Sequence, residues 1–265
     1  KFFFRSRNLD YIGQNLKDIT HQSPAHKIFN AINSYSENSE VRYVGGCIRK
    51  IIKKELVDDI DLASNLRPTE VCEALKKNAI NYYETGIEHG TITAIIDDHK
   101  FEITSLRRDM ATNGRHAKVE FSSDWKEDAA RRDFSINSIY SDKEGNLFDP
   151  HNGKKDLEDG HVKFIGDAEN RIKEDYLRIL RYIRFFVNYS NRKHDSEIIR
   201  IIKKNIGGVS QLSSERLLEE FKKLTKSDGF LKLFDDKESL ELIEIIFPQL
   251  KNLNSFKKLN SHAHQ

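Results

Sequence analysis

The chain holds 265 residues, 37% hydrophobic and 32% charged, with a formal net charge of +2 at pH 7. That balance supports one large or two modest soluble domains, and no apolar run approaches the length of a membrane span. Two cysteines, Cys47 and Cys72, do not suggest a disulfide framework and make a reducing cytoplasm the default compartment; Phe2-Phe3-Phe4 is too short for a targeting core, so no signal peptide is expected.

In chain order, the first helical segment spans roughly residues 24–35, with Ile28, Phe29 and Ile32 as its apolar stripe. After a polar loop, the short apolar run Val41-Arg42-Tyr43-Val44 meets Gly45-Gly46, and a helical pattern follows with Ile48, Ile51, Ile52 and Leu56 on one face. Residues 58–63 read as a strand whose alternation turns Ile60 and Leu62 one way and Asp59 and Asp61 the other. Pro68 opens a helix over residues 69–77. Residues 91–96 and 100–106 read as two strands joined by Asp97-Asp98-His99. Residues 107–119 read as a mobile polar loop holding Arg107, Arg108, Arg115 and His116. Asp124 with Glu127 has the spacing of a capping box; the helix it opens is expected to carry Arg131 to Asn137, with Asp133 and Asn137 on one face beside Arg132.

The turn-rich stretch 145–160 places a domain boundary after residue 148. Beyond it strand signals vanish. A helix running on from Arg171 is expected to bury Ile172, Tyr176, Ile179, Leu180, Ile183 and Val187, while Asp175, Arg178, Arg181 and Arg184 recur at intervals of three. Asp175 can answer one of those arginines; the others want an anion or solvent. Residues 213–224 form another amphipathic helix capped by Ser213 or Ser214. Residues 1–170 carry 25 Lys and Arg against 29 Asp and Glu, a net −4, whereas residues 171–265 carry 19 against 13, a net +6. The basic second part fits a polyanionic partner, and ordinary variation among surface charges is the alternative.

The chemistry converges on residues 41–64. Two carboxylates two positions apart on a strand share a face and repel, so both ionise readily only with a cation between them; hard divalent ions choose such oxygen ligands. A Gly-Gly turn at a helix start presents backbone N–H groups to an anion, and Arg49 stands one turn in. Either feature alone is common; the strand, GG-x-x-R, helix and D-x-D in succession are restrictive, and they equip a chain for phosphoryl transfer. Glu102 is a third candidate carboxylate if its strand lies beside Asp59 and Asp61, and otherwise a solvated glutamate. Arg132, Asp133 and Asn137 could grip a charged ligand or form a surface ion-pair cluster.

The runs GGCIRK (45–50), DDIDLAS (58–64), EHGTITA (88–94), FEITSLRRD (101–109), DWKEDAARRDFSINSIY (124–140), FIGDAENRIKEDYLRILRYIRF (164–185) and LSSERLLEE (212–220) stand in an order that resembles the class II tRNA nucleotidyltransferases, the CCA-adding enzymes, and their relatives the bacterial poly(A) polymerases. The wording of the loop and helix at 107–137 resembles most the alphaproteobacterial branch. The resemblance implies an α+β fold. A polymerase-β-type nucleotidyltransferase head, a mixed sheet with helices, spans 1–148. An all-α neck spans 149–225, and 226–265 begin a helical body that is short or incomplete beside the family's tRNA-gripping body and tail.

It further implies that Asp59 and Asp61 hold two Mg²⁺ ions, that Gly46 and Arg49 contact the triphosphate, and that Arg132, Asp133 and Asn137 contact phosphates and sugar. Asp175 and Arg178 match the amino-acid template that pairs with the incoming C or A, Arg181 and Arg184 match phosphate-facing arginines, and the loop of Arg107, Arg108, Arg115 and His116 matches the element needed for the switch from C to A. Lys50 stands where the family usually has Asp. The expected activity is template-independent addition of CCA to the tRNA 3′ end from CTP and ATP, with no membrane and no protein partner implied. CC-only, A-only and poly(A) addition are rivals within the enzyme class, and a catalytically silent RNA-binding module is the rival outside it.

Overall fold

The computed structural model of the chain describes residues 2–109 and 119–250. It divides into two compact units, Lys1–Glu158 and Asp159–Gln265.

The first unit opens with α1 (Phe2–Gln22) and α2 (Ala25–Asn33). The sequence pattern shows only the second of these, because α1 offers a sparse stripe, with Ile12 and Leu16 buried and Ile19 partly so. Thr20 near its end meets the buried Tyr43 hydroxyl at 2.5 Å. Next come β1 (Val41–Val44), α3 (Gly46–Lys53), β2 (Asp61–Ser64), α4 (Pro68–Lys77), β3 (Asn81–Gly86), β4 (Thr91–Ile96) and β5 (His99–Ser105). A small pair, β6 (Arg107–Asp109) and β7 (Val119–Phe121), precedes α5 (Trp125–Ala130). A single 3₁₀ turn (Ser135–Asn137), β8 (Tyr140–Ser141), β9 (Leu147–Phe148) and α6 (Gly153–Glu158) complete the unit.

Among the described residues seven strands form one sheet, ordered β3-β4-β5-β2-β1-β8-β9. β2 and β5 run parallel and the other neighbours antiparallel. The main core gathers Ile28, Phe29, Ile32, Tyr43, Ile48 and Leu75 with the inward residues of β4 and β5; Tyr140, Ala129, Leu106 and Val44 form a smaller cluster.

Several expectations shift in the structure. α3 ends at Lys53, and Leu56 beyond it is 86% exposed rather than part of the apolar face. β2 begins at Asp61, so Asp59 lies in the segment before the strand. The stretch read as a loop from Arg107 is flanked by a two-stranded ladder that pairs Arg108 with Glu120. α5 ends at Ala130, so Asp133 and Asn137 do not share a helix; the chain turns and closes a 3₁₀ turn instead. Asp124 does cap α5, its Oδ1 accepting from the Lys126 amide at 2.7 Å, but Glu127 turns to Ser122 and Arg108 rather than back to the cap. The division into units falls after Glu158, within the turn-rich stretch 145–160. α6 packs on the 3₁₀ turn: Ser135 Oγ donates to Asp156 Oδ2 at 2.6 Å, and a Cβ on Gly153 would stand 2.0 Å from the Ser135 carbonyl oxygen.

The second unit's described elements are helices: α7 (Ala168–Glu174), α8 (Leu177–Tyr189), α9 (Ser196–Asn205), α10 (Ser214–Thr225) and α11 (Lys237–Ile246), with short 3₁₀ turns between some of them. Asp167, Asp195 and Ser213 cap α7, α9 and α10 through side-chain oxygens. The helix expected to run through from Arg171 is broken, because Asp175 takes an extended backbone between α7 and α8. Tyr176 is accordingly half-buried, while Ile172, Ile179, Leu180, Ile183 and Val187 are buried as expected.

Candidate active site

β1, the glycine turn and β2 set the site. Gly45 sits at φ 70°, ψ −116°, a backbone that side-chain-bearing residues avoid, and this bends the chain from β1 straight into α3. Cys47 beside it is buried, where burial pushes its thiol up to about 12; compactness is what the position uses. At Gly46 a Cβ would lie 3.8 Å from an Arg49 Nη2 and 4.0 Å from Asp61 Oδ2, so the glycine, the guanidinium and the carboxylate border one space.

The parallel β2–β5 pairing puts Asp61 in register with Glu102. Burial first, then the charges of Glu102 and Asp59, push the Asp61 carboxyl above its ordinary value, and Arg132 and Arg49 pull it back. Asp61 is half-buried; Asp59 and Glu102 are exposed. Every donor here is a carboxylate oxygen, and a cation among them relieves the repulsion that lifts Asp61, so the set fits a hard divalent ion. Lys50 is absorbed as an ion pair with Asp58, whose Oδ1 also accepts the Asp59 amide at 3.0 Å and whose acidity the lysine increases.

A second set of predicted residues joins this one. Asn137 Oδ1 accepts from Arg49 Nη1 at 2.5 Å, and Asn137 Nδ2 donates to Asp133 Oδ1 at 2.9 Å. Asp133, Asn137 and Arg49 are all buried. Arg132 donates to Asp128 Oδ2 and to the Tyr140 hydroxyl, and its guanidinium contributes to the field at Asp61. A polar chain buried to this degree is held in one geometry by its bonds.

Arg107 and Arg108 stand on β6. Arg107 Nη1 donates to the His89 carbonyl at 3.1 Å, and Arg108 pairs with Glu120 at 2.8 Å and Glu127 at 3.5 Å. Arg115 and His116 lie outside the described residues.

In the second unit, Asp175 Oδ2 accepts from Arg216 of α10 at 2.8 Å. Arg178 donates to Glu174 Oε2 and to the Arg171 carbonyl, both at 2.7 Å. The expectation that Asp175 answers one of the three arginines is corrected. Glu220, 2% exposed on α10, pairs with Arg184 and reaches Arg181 at 3.8 Å. Arg216 and Glu220 are thus residues that sequence reasoning missed. The available signal was their place on the same amphipathic helix, four positions apart.

Among the described residues, a compact group of three metal-type ligands lies elsewhere, at His194, Asp236 and Glu238, within 4.8 Å of one another. There the His194 ring meets the Tyr182 hydroxyl at 2.9 Å on one nitrogen, and Asp236 at 2.7 Å and Ser239 at 3.0 Å on the other, and it stacks on Phe186. This is a hydrogen-bonded tie within the helical unit.

Comparisons with known proteins bear on the family and the fold. The family described as "Poly A polymerase head domain" matches residues 41–163, and "Probable RNA and SrmB-binding site of polymerase A" matches residues 195–253. The mitochondrial CCA tRNA nucleotidyltransferase 1 of Mus musculus is 40% identical over 231 residues, covering 86% of this chain and 53% of that protein. The crystal structure of the Bacillus stearothermophilus CCA-adding enzyme in complex with CTP shares the fold with a TM-score of 0.73 at 24% identity, covering 87% of this chain and 55% of that one. A tRNA nucleotidyltransferase complexed with a primer tRNA and an incoming ATP analog superposes with a TM-score of 0.63 at 26% identity, over 89% of this chain and 61% of that one. The chain spans about half the length of the curated relatives it matches. No helix among the described residues is long and apolar enough to cross a membrane. On these matches the chain belongs to the class II nucleotidyltransferases, the family of CCA-adding enzymes and bacterial poly(A) polymerases.

Proposed function

We propose that this chain carries the nucleotidyltransferase activity of a CCA-adding enzyme, extending the 3′ end of tRNA from CTP and ATP without a nucleic-acid template and releasing pyrophosphate. The observation that carries the reading is the space bordered by Gly46, Arg49 and Asp61, with Glu102 in register beside Asp61 and the Asn137–Asp133 chain bonded to Arg49. Relatives named for this activity and a related structure described with primer tRNA and an ATP analog support the substrate class.

In this reading Asp59 and Asp61, with Glu102 adjacent, hold Mg²⁺. Two bound ions would supply an acidified attacking hydroxyl and neutralisation of charge on the triphosphate. The α3 N-terminus at Gly46 and the Arg49 guanidinium take the triphosphate, since backbone N–H groups and a planar donor fork both match phosphate oxygens. Arg132 adds a fixed positive charge, and Asp133 and Asn137 present polar atoms to phosphate and sugar. Asp175 and Arg178 offer an acceptor and donor edge of the kind that reads a base, and Arg181 and Arg184 add basic charge on the same helical unit. Arg107, Arg108, Arg115 and His116 belong to the segment whose family role is the change from C to A. The RNA 3′ end is drawn by the basic second part, net +6 over residues 171–265. Cys47 and Cys72, both free and buried, suit a reducing compartment such as the cytoplasm.

The test is product sizing. tRNA lacking its CCA end is incubated with the chain and Mg²⁺ plus CTP, ATP, or both. Two added residues with CTP alone and three with both nucleotides are expected. A stop at two with both nucleotides assigns CC addition, a single residue from ATP on a tRNA ending in CC with no use of CTP assigns A addition, and a long ladder with ATP alone assigns poly(A) synthesis. Binding without any extension leaves an RNA-binding module.

A further inference from the structure

We propose that Asp128, together with Tyr140, is the positioning pair for Arg132, and that the same carboxylate fastens the base of the β6–β7 ladder to that arginine. The proposal rests on the function assigned above, for which Arg132 is a nucleotide-contacting residue.

Asp128 lies on α5 with 1% exposure and uses both carboxylate oxygens. Oδ2 accepts from Arg132 Nη2 at 3.1 Å and from the Tyr140 hydroxyl at 2.5 Å. Oδ1 accepts from Arg131 Nε at 3.0 Å and from the backbone amide of Arg107, the first residue of β6, at 3.3 Å. The Tyr140 hydroxyl in turn accepts from Arg132 Nε at 2.9 Å, closing a three-membered ring of hydrogen bonds. Tyr140 is itself locked, fully buried between Trp125, edge-on at 5.4 Å, and Phe148 at 5.9 Å.

A buried carboxylate costs much free energy unless charge-assisted bonds offset it. Here two guanidinium groups and a phenol do so, and they hold the Asp128 carboxyl below its ordinary value against the effect of burial. The result fixes the plane of the Arg132 fork, the group whose charge reaches Asp61. A guanidinium free to rotate would have to be ordered at each nucleotide encounter; a clamped one needs no reorganisation. The Arg107 amide makes the arrangement specific. The strand that leads into residues 110–118 starts from the oxygen pair that orients Arg132, so the nucleotide-contacting arginine and the root of that segment share one anchor.

The experiment uses Asp128→Asn and Tyr140→Phe, each made in the native chain and in an Arg132→Lys background. Two readouts are taken. The first is kcat/KM for single-nucleotide addition to tRNA. Asp128→Asn is expected to lower it about tenfold or more and Tyr140→Phe about threefold, both chiefly through KM for the nucleotide, with little further loss in the Arg132→Lys background because groups acting as a unit are non-additive. The second is the ¹H–¹⁵N resonance of Arg132 Nε–H, assigned by its loss in Arg132→Lys, which both variants are expected to displace or broaden. Tyr140→Phe removes one hydroxyl and keeps the ring, so it serves where Asp128→Asn fails to fold. Equal fold-losses in the native and Arg132→Lys backgrounds, or an unmoved Nε–H resonance, overturn the proposal. A native chain that adds no nucleotide overturns the assigned function instead, and the resonance still decides the positioning.

Discussion

Asp61 on β2 and Glu102 on β5 stand in register across the parallel pair of the sheet, two acids on adjoining strands with Asp59 close enough to add its charge. The Asp61 carboxyl titrates above its ordinary value first because it is partly buried and then because of those charges. The linkage sign follows. A carboxyl whose folded pKa is raised binds its proton more tightly in the folded state, so its contribution to stability is complete below the unfolded value and is lost as pH rises through the folded one. At neutral pH without metal, Asp61 therefore disfavours the fold.

Asp61→Asn should raise Tm by a few degrees in EDTA at neutral pH, and the gap should narrow on acidification through the carboxylate range. Mg²⁺ should raise the Tm of the native chain and leave that of the variant nearly unmoved, because only the native site gains a preferential ligand. The same substitution should lower nucleotide addition by roughly a thousandfold or more, the scale on which removed electrostatic stabilisation acts. Thermal scans at several pH values with and without Mg²⁺ check the first part and primer extension the second. A variant of unchanged activity removes Asp61 from the metal site.

Arg49 gives a separate test of the proposed triphosphate contact. Its Nη1 bonds Asn137 while its Nη2 faces the Gly46 turn. Arg49→Lys keeps a charge but loses the planar fork, so it cannot hold Asn137 and a phosphate together. Kcat/KM for CTP should fall about tenfold for Lys and about a hundredfold for Ala, as expected when a charge-assisted bond made in the transition state is removed. Steady-state kinetics at saturating tRNA decide it; equal activity of the Lys variant and the native chain would show that charge alone suffices.

The strand–Gly-Gly–helix–strand core was legible because its signals are local. Period-two alternation singles out Asp61, although Asp59 lies ahead of the strand and so shares no strand face with it, and Gly45 has a backbone that a side chain would oppose. Placing Glu102 beside Asp61 needed only two strands to be neighbours. What the sequence withheld depends on partners far along the chain. The Asn137–Arg49 bond joins residues 88 positions apart, and Arg184 meets Glu220 across 36. The strands β6 and β7 are three residues each, too short to stand out in the sequence, and pair with one another while Asp128 accepts the Arg107 amide. The helix read through Asp133 and Asn137 failed because apolar spacing continues past Ala130 while the chain turns to bury Phe134 and to bond Asp133 to the Phe134 amide.

Arg216 tests the proposed base-reading role of Asp175. Its guanidinium takes Asp175 Oδ2 at 2.8 Å, while Oδ1 takes the Leu177 amide at 3.1 Å, so the carboxylate is oriented by one side chain and one backbone group. Arg216→Ala frees one oxygen without touching Asp175. Misincorporation of UTP and GTP relative to CTP should rise about tenfold, and Asp175→Ala should raise it further, toward a hundredfold, as a polar discriminator is first loosened and then removed. Competition assays with mixed nucleotides and sequencing of the added residues measure it. An Arg216 variant that loses rate without losing discrimination would assign Arg216 to stability alone.

Glu220 carries the largest expected cost to folding. It is buried on α10 with its carboxylate between Arg184 and Arg181, and Arg184 also lies over the Phe185 ring at 4.2 Å. Removing the acid takes a buried carboxylate from both guanidinium groups, and breaking a buried pair from one side costs about 3 kcal/mol or more. Glu220→Gln keeps the shape and hydrogen-bonding reach, so its loss isolates the charge. The urea midpoint should fall with an unchanged slope, and Glu220→Gln with Arg184→Met should recover much of the loss, because the guanidinium that lost its buried carboxylate is then gone. A single variant that costs less than about 1 kcal/mol, the range of exposed ion pairs, would mean that solvent screens the arginines and that the pair does not hold α8 against α10.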